Sequence, residues 1–260
     1  MSKAIVVFSS AFLCLLFVTT SSVRAQGPPP PDFTGVYMPV DPFGQFRRPA
    51  APSPAVTSDG LPPPRPVLVL DGREGRPDNA PKLTPEYLAK WEVIRQSRIA
   101  GSDEFDPNVR CISAGMPSMM SMTYGMELQH TKDKITMYGE LNDVYRRIWL
   151  DGRQPSQRVL DDPTFAGYST GHWEGDTLVV ETVAIREDAL FDSFSPHSDQ
   201  FTVTERIRFI SPGVLENRIT STDPKALLEP FTSVRTYTKA SPPNDELREF
   251  SCAEGLGSTK

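Results

Sequence analysis

The sequence has few of the residues that build metal and redox sites. Its 260 residues include three cysteines and three histidines, and the histidines are too far apart for a short metal-binding motif; they are His130, His172 and His197. The chain has no P-loop, no glycine-rich dinucleotide motif and no pair of C-x-x-C motifs. Such motifs mark most recognisable phosphate, nucleotide and structural zinc sites. We therefore expect no cofactor and no metal, while a metal site assembled from distant strands stays open.

Positive charge and long apolar runs are also scarce. The chain carries 27 basic and 33 acidic residues, for a formal net charge of −6. Nucleic-acid binding draws its affinity from clustered Lys and Arg, so this composition argues against a nucleic-acid partner. After residue 25 no apolar run approaches the roughly 20 residues that a spanning helix needs. We expect a mature chain without a membrane span.

The first 25 residues have the layout of a secretory signal peptide. A short positive start is followed by a nearly unbroken apolar run over residues 4–18 and by small residues that end at Ala25. The run is too short for a spanning helix and matches the apolar region of a leader. The sequence therefore predicts a mature chain that begins at Gln26 and is periplasmic or secreted.

Loss of the leader removes Cys14 and leaves Cys111 and Cys252. Two cysteines in an oxidising compartment most simply pair. We predict a Cys111–Cys252 disulfide with a structural role. The alternative is two separate buried thiols.

Proline content divides the mature chain into an arm and a folded domain. Residues 26–66 hold half of the 26 prolines, and proline lacks the amide donor that helices and central strands need. We expect an extended arm over residues 26–80, with one short strand at 32–37. A single barrel domain is expected over residues 81–260.

One helix is predicted at 85–99. Thr84 suits the N-cap and Pro85 the first helical position, and an apolar stripe through Tyr87, Trp91 and Ile94 recurs at helical spacing. This pattern is typical of an amphipathic helix that packs on a larger structure.

The rest of the domain has the pattern of strands and tight turns. Candidate strands are 126–131, 135–141, 144–150, 167–173, 177–185, 200–210, 214–222, 231–239 and 246–252. The breaks between them contain Asn, Asp, Gly and Pro. Many short strands joined by tight turns favour an antiparallel barrel or sandwich. We predict a mainly β fold, a lipocalin-like antiparallel barrel with the helix packed outside.

Strand alternation suggests an inward-facing charged cluster. Glu205 shares a face with the apolar residues of its strand, and a buried carboxylate must be paired or protonated. By the same reasoning Arg147 shares a face with Tyr145 and Trp149, and Glu140 lies at the end of the preceding strand. The cluster is either an internal salt-bridge network or a ligand-facing site.

Each of three further patterns has both a chemical and a structural interpretation. His197 lies two residues from Asp199, which could orient it as a general base, or the segment is a turn in which Asp199 binds backbone amides. Residues 167–171 match G-x-S-x-G, but a turn and a strand follow where a hydrolase needs a helix, so we interpret the match as coincidence. A methionine-rich stretch at 116–126 could line a pocket, bind copper or fill the core.

The run GYSTGHWEGDTLVV at 167–180 resembles the signature of a family of exported bacterial proteins without an assigned function. Other stretches fit the same family: Cys111 with 114–117, 146–148, 151–153, 196–199, 204–206, 223–225, and Glu249 with Cys252. The resemblance spans most of residues 81–254 and implies export rather than a particular activity. Separately, residues 35–37 are similar to the Gly-x-Trp opening of lipocalin barrels.

Three function hypotheses follow. The first is a small, partly apolar ligand held inside the barrel, with Arg147 and Glu205 fixing its orientation. The wall residues of that pocket are Glu140, Tyr145, Trp149 and Trp173. The second is a cofactor-independent lyase, isomerase or hydrolase in which His197, Asp199, Glu205 and Arg147 share the pocket. The third is an envelope scaffold that uses the proline-rich arm.

Overall fold

The structure is a computed structural model that describes residues 29–40, 75–107, 109–121, 124–192 and 194–250. The predicted signal peptide, most of the predicted arm and Cys252 lie outside these residues. Expectations for those segments stay predictions.

Nine β-strands form a closed barrel in which each strand pairs with the next one in the sequence and β9 pairs with β1. The strands are β1 (Gly35–Pro39), β2 (Met126–His130), β3 (Lys134–Gly139), β4 (Val144–Trp149), β5 (Tyr168–Glu174), β6 (Thr177–Val183), β7 (Thr202–Ser211), β8 (Val214–Thr222) and β9 (Phe231–Lys239). The predicted mainly β barrel is confirmed, and its strands follow one another around the ring in sequence order.

The barrel begins earlier in the chain than residue 81. β1 comes from the predicted arm, near the strand expected at 32–37, and lies between β2 and β9. The strand predicted at 246–252 is wrong over residues 246–250, which form no strand. The first strand, rather than a last one, closes the barrel.

One neighbouring pair, β4 and β5, is parallel, and the other pairs are antiparallel as predicted. Strands that strictly alternate in direction close a ring only when their number is even, so nine strands require a parallel pair. A parallel pair needs a long crossover. Residues 150–167, which include the short helix α2 (Gln157–Asp161), supply it as a mostly exposed strap along the barrel.

The two ends of the barrel are closed differently. At one end, here called the turn end, short turns at 131–133, 175–176 and 212–213 join neighbouring strands. At the opposite end, the loop end, lie the longer connections β1–β2, β3–β4, β6–β7 and β8–β9. Chain direction places the start of β1 and the end of β9 at the turn end.

Helix α1 (Pro85–Ile99) is the predicted packed helix, and it buries Tyr87, Trp91 and Ile94. Thr84 does not cap the helix with its side chain. Its backbone N–H donates to Ala226 O at 2.9 Å, and its hydroxyl donates to Lys225 O at 3.0 Å. These bonds fix the start of the helix to the β8–β9 connection. None of the helices in the described part of the chain is long and apolar enough to span a membrane.

Candidate functional site

The barrel encloses a small cavity lined mainly by inward-pointing strand residues. Its free volume is about 20 Å³, room for about one water molecule. The lining residues are Phe33, Met120, Met126, Leu128, Ile135, Met137, Arg146, Ile148, Leu178, Ile207, Leu215, Asn217 and Tyr237. The wall is therefore largely aliphatic and methionine-rich, with two strongly polar side chains.

Arg146 supplies a buried positive charge to the barrel interior. Alternation along β4 buries Val144, Arg146 and Ile148, and only 1% of Arg146 is exposed. Its guanidinium makes a bidentate ion pair with Glu205, with 3.1 Å between Nη1 and Oε1 and a shorter contact from Nη2 to Oε2. Burial of both charges is tolerated because they neutralise one another at close range.

The remaining guanidinium donors reach three other side chains. Nε donates to Ser169 Oγ at 3.0 Å, Nη2 to Thr182 Oγ1 at 2.9 Å and Nη1 to Met120 Sδ at 3.7 Å. With the two bonds to Glu205, each of the five N–H donors of the guanidinium has an acceptor. Arg146 is thus fully satisfied by protein atoms.

Asn217 completes the network and leaves one atom unsatisfied. Its Nδ2 donates to Glu205 Oε1 at 2.8 Å, while its buried Oδ1 has no hydrogen-bond partner. A buried acceptor without a donor costs free energy. Since Asn217 lines the cavity, this carbonyl oxygen is the candidate acceptor for a further group.

The hydroxyl of Tyr37 is a second buried polar atom without a partner. Burial, with a smaller contribution from Asp32, raises the pKa of Tyr37 to about 12. Tyr237 differs, because its hydroxyl donates to the carbonyl oxygen of Met120. Burial also raises the pKa of Tyr237, so both tyrosines remain neutral donors near pH 7.

Arg147 does not belong to the interior cluster. It is exposed on the outer face of β4, where its Nε donates to Tyr145 Oη at 2.6 Å. Tyr145 is 45% exposed, and Trp149 packs under the guanidinium of Arg153 at 3.7 Å. The predicted inward face of β4 is therefore wrong: the face that carries Arg146 points inward, and the face that carries Arg147 points outward. The two faces are hard to tell apart in the sequence because both carry apolar and cationic side chains.

Glu140 also lies away from the network. It follows β3 at the loop end, is half-buried and contacts none of the interior polar groups through a described hydrogen bond. Glu205 is the carboxylate of the interior network, as its strand alternation predicted; 0% of it is exposed. Sequence reasoning missed its partner Arg146, because the apolar residues on the two faces of β4 do not show which face points inward.

His197 is buried at the loop end rather than beside Glu205. Its ring stacks on Phe201 at 4.1 Å and its Nδ1 lies 3.0 Å from Ser198 O. Burial lowers the pKa of His197, which the backbone carbonyls of Ser198 and Ala189 partly oppose. Asp199 is exposed and pairs with Lys225 at 2.6 Å, so it does not orient the histidine.

These placements separate the four residues of the enzyme hypothesis. Phe201 stacks on His197 and stands four residues before Glu205 on the same side of the chain, roughly 13 Å along the strand. Arg147 points away from both, and Asp199 faces solvent. The described residues therefore bring no histidine to the interior carboxylate.

A second ion pair, partly buried, ties the loop end together. Arg235 Nη2 lies 3.4 Å from Asp192 Oδ1, and Arg235 Nε donates to Ser121 Oγ at 2.9 Å. Burial raises the pKa of Asp192, against the attraction of Arg235. Ser118 Oγ donates to Leu190 O at 3.0 Å. The connections before β2 and before β7 are thus bonded to one another and to β9, and together they close the loop end. No sequence pattern predicted these bonds.

Trp173 lies at the turn end, in an aromatic group with Phe33, His130 and Phe209. The Phe33 ring is 5.3 Å from that of Trp173 and 5.2 Å from that of Phe209. The rings of His130 and Trp173 are 5.8 Å apart. Trp173 is the predicted aromatic wall residue that the structure does place next to a cavity-lining side chain.

The G-x-S-x-G segment has a structural role. Ser169 is buried in β5, where its hydroxyl accepts from Arg146 and lies 2.9 Å from Thr182 Oγ1. No described histidine approaches it through a hydrogen bond. Among the described residues, no group of three or more His, Cys, Asp and Glu side chains could hold a metal ion.

Comparison with other proteins adds little to this picture. No protein-family model and no curated protein matches the sequence. Among solved structures, the crystal structure of a point mutant of the fluorescent protein UnaG is similar, with a TM-score of 0.28 and 19% sequence identity over 53% of this chain and 88% of that chain. This likeness is weak and assigns neither ligand nor role to the chain.

Proposed function

We propose that the protein is an exported barrel that binds a small, partly apolar molecule in its interior. Asn217 carries the proposal: its side chain is 1% exposed, lines the cavity and leaves a carbonyl oxygen without a hydrogen-bond donor. A ligand with an N–H or O–H group satisfies that oxygen. The aliphatic wall then holds the apolar part, as in most small-molecule sites.

The methionines of the wall provide adaptability. Met120, Met126 and Met137 line the cavity, and methionine repacks more easily than branched side chains. The free volume of about 20 Å³ is smaller than any organic ligand, so binding requires that at least one lining side chain moves.

Export belongs to the same proposal. It is supported by the leader-like residues 1–25, by the family resemblance of residues 167–180 and by the expected Cys111–Cys252 disulfide. Phe250 packs against Tyr124, with ring centroids 6.3 Å apart, which brings the C-terminal segment near the connection that contains Cys111.

Titration with N-phenyl-1-naphthylamine tests interior binding, because this neutral probe combines aromatic rings with an N–H group and brightens in apolar surroundings. We expect saturable binding by the full mature chain. Met137→Trp fills the cavity and should abolish the signal, whereas Tyr138→Trp adds bulk on the outer face of the same strand and should preserve it.

Far-UV circular dichroism and thermal unfolding of both variants verify that they are folded. If the wild-type chain gives no saturable signal, or if both variants bind equally well, interior binding is wrong.

A further inference from the structure

Two cavity-lining residues do not belong to barrel strands. Phe33 precedes β1 and Met120 belongs to a 3-10 turn at 118–121, whereas the other lining residues lie in strands. Strand side chains are held by the sheet, so room for a ligand comes most readily from one of these two. They stand at opposite ends of the barrel.

Met120 is held firmly. Its carbonyl oxygen accepts from the hydroxyl of Tyr237, and its neighbours Ser118 and Ser121 bind Leu190 and Arg235 through their side chains. The loop-end connections cover it. Moving Met120 would break several buried hydrogen bonds at once.

Phe33 is held more weakly by its backbone. Its N–H reaches His130 Nδ1 at 3.4 Å, near the limit of a hydrogen bond. The adjacent Thr34 is anchored at the surface, where its carbonyl oxygen accepts from the exposed Lys239. The side chain of Phe33 is 1% exposed, but Trp173 and Phe209 beside it are half-buried. The turn end is thus the weaker closure.

The position of Phe33 also indicates what could replace it. Trp173, Phe209 and His130 surround its ring with centroid separations of 5.2–6.2 Å. A void left by an aromatic side chain in apolar surroundings is of the order of 150 Å³, a size that accepts benzene. Aromatic walls favour offset or edge-on contact with another ring.

We propose that Phe33 is a built-in occupant of an aromatic subsite at the turn end, and that a ligand carrying a planar aromatic ring takes its place. The proposal rests on interior binding and adds the ligand class and the entrance. The ring of the ligand lies among Trp173, Phe209 and His130, and its N–H or O–H group points inward to Asn217.

If Phe33 is displaced by the ligand, removing its side chain should strengthen binding. If Phe33 were an ordinary wall contact, removing it should weaken binding. If Phe33 must leave before the probe binds, Phe33→Ala removes that cost and should tighten N-phenyl-1-naphthylamine binding roughly 10- to 100-fold. Phe33→Leu, which is less disruptive, should give a smaller gain. The matched control is Phe201→Ala, a buried phenylalanine that does not line the cavity, and it should leave the affinity within about twofold.

Two outcomes overturn the proposal while interior binding stands: weaker or unchanged affinity in both Phe33 variants, or a larger gain from Met120→Ala than from Phe33→Ala. Absence of saturable binding by the wild-type chain instead contradicts interior binding itself.

Hydrogen exchange gives a second readout on the unmodified mature chain. Release of Phe33 should make amides of residues 29–40 exchange faster when the probe is bound, whereas amides of β7 and β8 exchange more slowly. Slower exchange of residues 29–40 on binding would show that Phe33 stays in place.

Discussion

Inside the barrel, a single arginine binds side chains from three other strands and reaches a fourth through Glu205. Arg146 of β4 binds Ser169 of β5, Thr182 of β6 and Glu205 of β7, and Glu205 in turn binds Asn217 of β8. A buried ion pair is weak evidence for stability, because desolvation opposes the attraction. The network instead fixes which residues face one another across five strands.

Loss of one partner should be far more costly than loss of a surface charge. Arg146→Met leaves Glu205 buried without its cation and should lower the free energy of unfolding by about 3–5 kcal/mol. Arg147→Met, one residue away on the outer face, should change it by about 0.5 kcal/mol or less. Urea denaturation of the two variants at pH 7 measures both values. Equal effects would mean that the interior network does not form.

His197 should contribute to acid sensitivity. Burial lowers the pKa of His197, whereas in the unfolded chain it titrates near 6.5. Below that pH the unfolded chain binds the extra proton first, so the free energy of unfolding falls as the pH drops through 6.5 towards the folded pKa.

His197→Phe keeps the stacking on Phe201 and removes this titration. At pH 7.5 the variant should be less stable by about 1 kcal/mol, because the bond to Ser198 is lost. The gap to wild type should shrink at pH 5, as measured by urea denaturation. A gap that widens at pH 5 contradicts a neutral, buried His197.

Glu205 and Arg146 differ in how well their inward orientation could be predicted from the sequence. Glu205 could be assigned inward because its face is otherwise purely apolar. β4 could not be resolved in this way, since the outer residues Tyr145 and Trp149 are as apolar in type as Val144 and Ile148. Cation–π contacts with Arg147 at 4.7 Å and Arg153 at 3.7 Å occupy the outer rings, and such contacts leave no periodic signal.

At the scale of elements, residues 167–180 form most of the β5–β6 hairpin. The hairpin supplies Ser169 to the arginine network and Trp173 to the turn end. Gly167, at its start, has a φ of +65°, and a methyl group there would meet Thr182 Cγ2 and Val183 O at 2.7 Å. The features of this run are therefore explained by packing rather than by a nucleophile.

Two glycines of this hairpin distinguish the energetic cost of a left-handed backbone from the cost of close packing. Gly175, in the turn, has a similar φ of +64° but open space around it. Gly175→Ala should cost about 1–2 kcal/mol, the penalty of a left-handed backbone. Gly167→Ala adds overpacking and should cost about 1–3 kcal/mol more. Thermal unfolding of the two variants measures the difference, and equal melting temperatures would exclude the close packing at Gly167.

Strands and tight turns were predictable because period-two alternation and turn residues are local signals. The crossover at 150–167 was not, since parallel pairing of β4 and β5 depends on the strand count of the whole ring. A short strand was predicted near β1, at 32–37, but its place between β2 and β9 was not, because that pairing also depends on closure of the whole ring.

At the scale of the whole molecule, the C-terminal segment returns along the outside of the barrel. Ala240 N–H donates to Val36 O at 2.8 Å, Leu247 packs against Gly125 and Phe250 contacts Tyr124. The chain therefore reaches residue 250 at the loop end, where the connection that contains Cys111 also lies.

The mature chain should accordingly contain no free thiol before reduction. A bridge between Cys111 and Cys252 closes a long loop and should stabilise the fold by about 4–5 kcal/mol in the chain-entropy model. A thiol assay on the unreduced protein and its melting temperature with and without dithiothreitol measure the effect. Two reactive thiols in the unreduced, unfolded chain would exclude the bridge.

The direction of β1 decides where an attached molecule would stand. The chain enters this strand from the side of Phe33, so a group attached at residue 29 stands at the proposed entrance and should compete with incoming molecules for access. Residue 250 lies instead at the loop end, beside Tyr124. A dye or surface tether intended to leave the proposed entrance clear is therefore better attached near residue 250 than near residue 29.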